Sequence, residues 1–232
     1  MRAQGGPQRG HGALIIGSQE WSDLLFIHWR VAASDLRRHV HDRLSIDERD
    51  GSAWISMTPF TLRRGRLRGL PALPDFHELN FRTYVTLSGQ PGIWFFSLDA
   101  ANLLAVAAAR LTVRLPYFPA RMDRGPGWYR SERRTGQGSF QARWSEGAEL
   151  GSAVEGSLEQ FLVERYVLYS RAAGPLLFRQ RVHHAPWPLR AARLESVHED
   201  LSTAAGLSPP GPPALCHFSP GVSVEFEPFF PL

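Results

Sequence analysis

The feature that most limits how this chain can fold is a pair of dense strand-forming runs joined by a turn. Leu79–Leu87 and Ile93–Leu98 are rich in β-branched and aromatic residues, with Ser88-Gly89-Gln90-Pro91-Gly92 between them. This spacing predicts an antiparallel hairpin. The second arm, Gly92-Ile93-Trp94-Phe95-Phe96-Ser97-Leu98-Asp99, is apolar almost throughout, as suits a strand buried on both faces. Similar runs recur along the chain and read as strands: Leu24–Val31, Ala53–Phe60 after the turn Asp50-Gly51 and ending near Pro59, Gly127–Arg134, Ser139–Trp144 and Leu176–His183. At the end, Gly221–Phe226 alternates Val222, Val224 and Phe226 inward.

Two helices interrupt this pattern. The first runs from about Ala100 to Ala109 with Asp99 as its N-cap, in an Ala- and Leu-rich stretch of high helix propensity. The second starts at Ser157, where Ser157-x-x-Gln160 is a capping-box pattern, and its apolar stripe is Leu158, Phe161, Leu162 and Tyr166. Strands outnumber helices, which implies an α+β class with an antiparallel sheet or barrel carrying helices on one side. Residues 1–19 read as a disordered tail and residues 20–232 as a single domain. Ala204–Pro213 is a Pro/Gly/Ser loop, and no internal repeat is visible.

Composition then narrows the chemistry. The chain has 232 residues, 43% of them apolar and 14 of them Phe, enough for a sizeable core. All 26 of its Lys and Arg residues are Arg, so the net charge of +4 rests on guanidinium groups. Arginine stays protonated at any relevant pH; it clamps carboxylates and phosphates but is a poor base and no nucleophile. With no lysine, Schiff-base chemistry on a side-chain amine is excluded. Cys216 is the sole cysteine, so no intrachain disulfide forms, which fits a reducing, cytoplasmic setting. No apolar run is long enough to span a bilayer, and Met1–Gly12 lacks the apolar centre of a secretory signal.

The most informative row is Glu78, Asn80, Arg82 and Tyr84. Alternate residues of a strand share a face, so these four stand together, with Leu79, Phe81, Thr83 and Val85 opposite. Same-face neighbours lie roughly 6.6–6.8 Å apart, so a small carboxylate ligand can touch two or three of them. Taken alone, the row reads more simply as the wet face of a half-buried strand. Trp54 and Trp94 are candidates for apolar wall. Arg110, ending the first helix, either complements the helix dipole or clamps a ligand. In Val182-His183-His184-Ala185-Pro186-Trp187, adjacent histidines point to opposite faces and do not share a metal; His183 is a candidate ligand contact. No HExxH or paired CxxC spacing exists, so neither metal nor cofactor is expected. Arg63, Arg64, Arg66 and Arg68 read as a solvated hairpin tip rather than a nucleic-acid surface. Cys216 beside His217 is a small buried residue rather than a nucleophile.

Several segments, in order, carry a resemblance. They are Trp54-Ile55-Ser56-Met57-Thr58-Pro59-Phe60, Glu78-Leu79-Asn80-Phe81-Arg82-Thr83-Tyr84-Val85, Gly92-Ile93-Trp94-Phe95-Phe96-Ser97-Leu98-Asp99, Leu115-Pro116-Tyr117, Ser157-Leu158-Glu159, Glu164-Arg165-Tyr166, His183-His184-Ala185-Pro186-Trp187 and His217-Phe218-Ser219-Pro220-Gly221-Val222. Over roughly residues 20 to 226 the chain resembles the bacterial YqjF-like proteins of the acetoacetate-decarboxylase-like superfamily. The resemblance implies a barrel-like antiparallel sheet around a small-molecule cavity, with helices packed outside. It matches Phe76-x-Glu78 to the strand bearing the decarboxylase's active-site glutamate, which turns the polar row inward. It matches Leu115-Pro116-Tyr117-Phe118-Pro119 to the segment leading to the catalytic lysine, where this chain has Ala120 and Arg121. The amine that attacks the ketone in that enzyme is missing, so the likeness carries the scaffold and not the reaction.

The expected function is therefore binding of a small organic acid or carbonyl compound. Arg82 would hold its negative oxygen, Asn80 and Tyr84 would donate hydrogen bonds, and Glu78 would act as general acid or base. Any enzymatic step would be non-covalent acid–base chemistry. The alternative is a non-catalytic interaction or sensory module that uses the barrel as scaffold. A homo-oligomer is compatible with either; a membrane or nucleic-acid partner is not expected.

Overall fold

The computed structural model describes residues 14–103, 106, 115–171 and 176–232. Among them, in chain order, lie β1 (Gly17–Val31), α1 (Ala33–Arg37), β2 (Ser45–Ile46), β3 (Ala53–Leu67), β4 (Phe76–Leu87), β5 (Gln90–Ala100), β6 (Tyr117–Gly125), β7 (Trp128–Arg133) and β8 (Ser139–Gly151). They are followed by α2 (Leu158–Val163), β9 (Val167–Arg171), β10 (Leu177–His184), β11 (Leu189–Glu199), α3 (Leu201–Ala204), β12 (Leu215–Phe226) and β13 (Phe230–Pro231). All thirteen strands belong to one sheet.

The β4–β5 hairpin forms where the sequence predicts it, but its turn is two residues rather than five, because Gln90, Pro91 and Gly92 already belong to β5. Leu87 pairs with Gln90, and the two residues between them, Ser88 and Gly89, take φ of 49° and 79°. Two positive φ values in a two-residue loop define the turn whose twist matches that of the flanking strands. Other strands run further than their sequence signals. β3 passes through Pro59 instead of ending there. Opposite that proline the β1–β3 pairing skips from Ser22↔Thr61 to Ile27↔Met57, so the missing proline N–H falls where the ladder is already interrupted. β1 starts at Gly17, inside the segment expected to be a tail.

Strand pairing makes two circuits. One runs β1–β3–β4–β5–β9–β10–β12 and back to β1. The other leaves β5 for β6, β7, β8 and β11 before rejoining β12. β5 makes parallel pairs with both β6 and β9, so the sheet is not purely antiparallel. β1, β3, β4, β5 and β12 belong to both circuits and carry a separate apolar cluster on each face. The first cluster holds Phe26, Trp54, Phe60, Phe76, Ile93 and Val224, among others. The second holds Ile27, Met57, Leu79, Phe81, Tyr129 and Phe140. That is why these strands lack a polar, solvent-facing alternation: both of their faces are covered.

The helices are short. α2 begins as expected: Ser157 is its N-cap, and its hydroxyl accepts from the Gln160 amide at 3.1 Å. Leu158, Phe161, Leu162 and Val163 pack on the first cluster, whereas Tyr166 lies beyond the helix end. Of the helix expected over Ala100–Ala109, Ala100 belongs to β5 instead, and positions 104, 105 and 107–109 lie outside the described residues. Asp99 is not its cap but part of β5. Burial pushes its carboxyl up; Arg133 of β7 opposes this, donating to it from Nε at 2.9 Å and from Nη2 at 2.9 Å. Among the described residues no helix is long and apolar enough to cross a membrane.

The Asp99–Arg133 pair ties β5 to β7 across the second circuit with both side chains almost wholly buried. Removing one partner leaves a buried charge uncompensated, a loss of about 3–5 kcal/mol. Asp99→Ala is expected to lower the urea-unfolding free energy by that order, with little change in the slope of the transition. A loss below about 1 kcal/mol would mean the pair is not a structural link.

Candidate functional site

The polar row on β4 lies inside the first circuit. Glu78 is 4% exposed, Asn80 7%, Arg82 8% and Tyr84 0%. Tyr84 belongs to the same cluster as Phe26, Trp54 and Leu162, so the row faces the interior and not water. The simpler reading of the row, a wet strand face, is thereby excluded. Across the ladder, Ser56 of β3 sits between His28 of β1 and Arg82 of β4, Thr58 is opposite Asn80, and Phe60 is opposite Glu78.

Two groups of contacts organise this interior. At one end Glu78 Oε2 accepts from the Tyr117 hydroxyl at 3.2 Å, and its carboxyl also hydrogen-bonds Asn80. Burial outweighs both contacts and pushes the Glu78 carboxyl from its ordinary 4.5 to about 8. At the other end the Tyr84 hydroxyl donates to the Leu162 carbonyl of α2 at 2.8 Å and lies 2.5 Å from Ser56 Oγ. Ser56 Oγ is in turn 2.5 Å from His28 Nδ1. Burial, reinforced by the Arg82 charge, holds the His28 imidazole well below its ordinary range and so neutral. Arg165 closes this end: it stacks over Phe161 and pairs with Asp47 at 2.7 Å.

Several polar atoms of this interior have no protein partner: Nε and Nη2 of Arg82, Oδ1 of Asn80, Oγ1 of Thr58, Nε2 of His28, Nδ1 of His217 and Nε1 of Trp187. Arg82 reaches the Tyr84 hydroxyl and lies 5.8 Å from the Phe26 ring centre, but neither contact supplies a counter-charge. Buried polar groups are nearly always paired, and a buried cation without a counterion is costly. A cluster of such atoms on one interior face marks a place that water or a ligand completes.

The other expected residues are distributed differently. Trp54 is on the interior face, its Nε1 donating to the Arg49 carbonyl at 3.2 Å and its ring covered by Arg30. Trp94 faces away from the row, packs with Val40 and Val85, and lines a surface depression of about 270 Å³. β5 carries a register irregularity between its pairs with Phe81 and Arg82, and Ile93 and Phe95 are the residues turned inward. His183 lies beside Glu227, 2.7 Å from its carboxylate, with Val182 rather than His183 in the interior cluster. Its neighbour His184 stacks on Tyr166 and Trp187; burial lowers its imidazole to about 4. Arg110 lies outside the described residues. Arg63 and Arg64 lie within β3 rather than at a hairpin tip; they are exposed and paired with Asp23, Asp75 and Glu20. Burial pushes the Cys216 thiol up to about 12, which leaves it unreactive.

His28, Ser56, Thr58, Tyr117 and His217 were not singled out by the sequence. A histidine within Leu24-Leu25-Phe26-Ile27-His28-Trp29 was the available signal, because an imidazole in so apolar a run needs a reason to be there.

These strands and their circuits form the fold of the acetoacetate-decarboxylase-like enzymes. An enzyme of that type from Sphingomonas wittichii RW1 superposes with a TM-score of 0.59 at 11% identity, covering 94% of each chain. The enduracididine biosynthesis enzyme MppR complexed with pyruvate superposes with a TM-score of 0.61 at 10% identity, over 95% of this chain and 91% of that one. Within this fold class, the chain belongs to the DUF2071 family of uncharacterized conserved proteins, which it matches over residues 18–223. It is 40% identical over 218 residues, 90% of either chain, to the uncharacterized protein YqjF of Bacillus subtilis (strain 168).

The raised Glu78 pKa has a thermodynamic consequence. Between about pH 4.5 and 8 the folded chain keeps a proton that the unfolded chain has released. The stability this provides is therefore complete below about pH 4.5 and is lost as pH rises towards 8. Relative to Glu78→Gln, the wild type is expected to lose on the order of 3–6 kcal/mol between about pH 5 and about pH 9. Parallel stability–pH curves for the two proteins, measured by denaturant unfolding, would contradict a buried Glu78.

Proposed function

We propose that this chain binds a small organic acid or carbonyl compound within the β1–β3–β4–β5–β9–β10–β12 circuit, read as a barrel-like enclosure. Arg82 holds the negative oxygen, Asn80 and Thr58 orient the ligand, and Glu78 is the acid–base group. The observation that carries this reading is Arg82: a buried guanidinium with Nε and Nη2 unpartnered. These nitrogens lie on one edge of the guanidinium, the edge that grips a carboxylate through two parallel hydrogen bonds. A bound carboxylate supplies the missing counter-charge.

Glu78 fits the acid–base role because its pKa of about 8 leaves it mainly protonated near neutrality, able to donate a proton to a developing negative oxygen. The absence of lysine removes the covalent amine route, and the chemistry assigned to Glu78 here is proton transfer. That MppR, which shares the fold, is described with pyruvate bound supports the size and charge of the ligand proposed. The single cysteine, which can form no intrachain disulfide, fits a cytoplasmic location.

Titration calorimetry with pyruvate, acetoacetate and their short homologues tests the binding role. At least one acid is expected to bind, and Arg82→Gln to weaken it at least about tenfold, roughly 1.4 kcal/mol. Folded wild type that binds none of them, or binding that ignores the Arg82 substitution, contradicts the proposal.

A further inference from the structure

The contacts among His28, Ser56 and Tyr84 fix where the protons are. The Tyr84 hydroxyl has one proton, and the Leu162 carbonyl at 2.8 Å can only accept, so that proton points to Leu162. Ser56 Oγ is 2.5 Å from the Tyr84 oxygen, a separation that requires a proton between them. The tyrosine has none left to give, so Ser56 donates to Tyr84. Ser56 Oγ is also 2.5 Å from His28 Nδ1, and by the same reasoning Nδ1 carries the proton of that contact. The chain of donors runs from His28 through Ser56 and Tyr84 to the Leu162 carbonyl.

A neutral imidazole protonated on Nδ1 has a bare lone pair on Nε2. In this structure Nε2 of His28 is buried and no protein atom donates to it. Asn80 Oδ1 is a second acceptor in the same condition. The interior thus offers an unpaired cationic donor, Arg82, beside unpaired acceptors. His28 and Arg82 are both cross-strand neighbours of Ser56, and both reach the Tyr84 hydroxyl, His28 Nδ1 at 3.3 Å. His28 and Arg82 are therefore side by side in the interior, close enough for the Arg82 charge to act on the imidazole.

We propose that the occupant is a short hydroxy acid, with its carboxylate on Arg82 and its hydroxyl donating to Nε2 of His28. This rests on the small-acid reading above and narrows it. An oxo acid sets a carbonyl lone pair against the Nε2 lone pair. An unsubstituted acid leaves Nε2 unsatisfied, and an ammonium is repelled by Arg82. A site built to accept from a substrate O–H rejects the analogue lacking it, because its buried polar atom is then left unpaired.

The test is a matched series measured by calorimetry on the whole protein: lactate and 3-hydroxypropionate against pyruvate and propionate. At least one hydroxy acid is expected to bind about tenfold or more tighter than both comparators. His28→Phe, which keeps a flat ring beside Phe26, should bring the series to within about twofold while carboxylate binding persists. Equal affinity across the series in wild type overturns the hydroxy-acid inference and leaves the small-acid reading intact. Absence of binding by all four, in protein shown folded by circular dichroism, overturns both. Should the phenylalanine variant fail to fold, nitrogen NMR of the wild-type imidazole decides: a proton on Nδ1 and none on Nε2 is expected, and the opposite tautomer overturns the inference.

Discussion

The constraint on which the rest of this structure depends is that five strands are shared between two closed runs of pairing. β1, β3, β4, β5 and β12 each have one face on the cluster around Phe26 and Trp54 and the other on the cluster around Met57 and Phe81. Where the two clusters flank them, little of either face of these strands is left for water; the exposed residues, such as Arg63 and Arg64 of β3 and Gln90 and Pro91 of β5, lie mostly towards their ends. Any polar side chain placed between the two clusters must find partners inside the protein or receive them from a bound molecule. Thr83 illustrates the first outcome, its hydroxyl donating to the Trp54 carbonyl at 2.7 Å. Arg82 has no such complement within the protein, with two guanidinium nitrogens unpaired, and this is what the proposed ligand would supply.

Seen this way, the chemistry follows from burial more than from any motif. Glu78 is moved towards neutrality by removal from water, and the Tyr117 and Asn80 contacts reduce that shift without cancelling it. His28 is kept neutral by the same desolvation and by the charge of Arg82. Two titratable groups in one interior are thus both held uncharged, a protonated acid at one end and a bare imidazole acceptor at the other. Arg82 keeps the positive charge between them, and α2 covers the His28 end through the Leu162 carbonyl. Such a site has a donor, an acceptor and a proton source without an amine nucleophile.

Much of this was legible in the sequence, and the parts that were not have physical causes. The β4–β5 hairpin could be read because its turn demands two left-handed residues and its arms are continuous strand formers. The common face of Glu78, Asn80, Arg82 and Tyr84 could be read from alternation. Which way that face points could not, because alternation is the same whether the polar side meets solvent or a closed interior; only the resemblance to a known fold indicated it. Trp94 was assigned to the wall because the register irregularity near Phe96 is silent in sequence; Ile93 and Phe95 hold the inward positions. His183 and His184 are indistinguishable by type, and strand register alone separates them. Asp99 has the composition of a helix cap, but β5 continues through it to reach Arg133, a partner far away in sequence. Ser56 is an ordinary residue in an apolar run, and even His28, conspicuous in its own run, acquires partners only once β1, β3 and β4 lie side by side.

What occupies the space in front of Arg82 decides the function. A high-resolution crystal structure of the protein grown with a short hydroxy acid examines that space directly. A carboxylate is expected to bridge Nε and Nη2 of Arg82 within hydrogen-bonding distance, with Glu78 and His28 turned towards the same molecule. An Arg82 side chain swung out to solvent, or an interior filled by repacked hydrocarbon with no room for a ligand, would contradict the binding role.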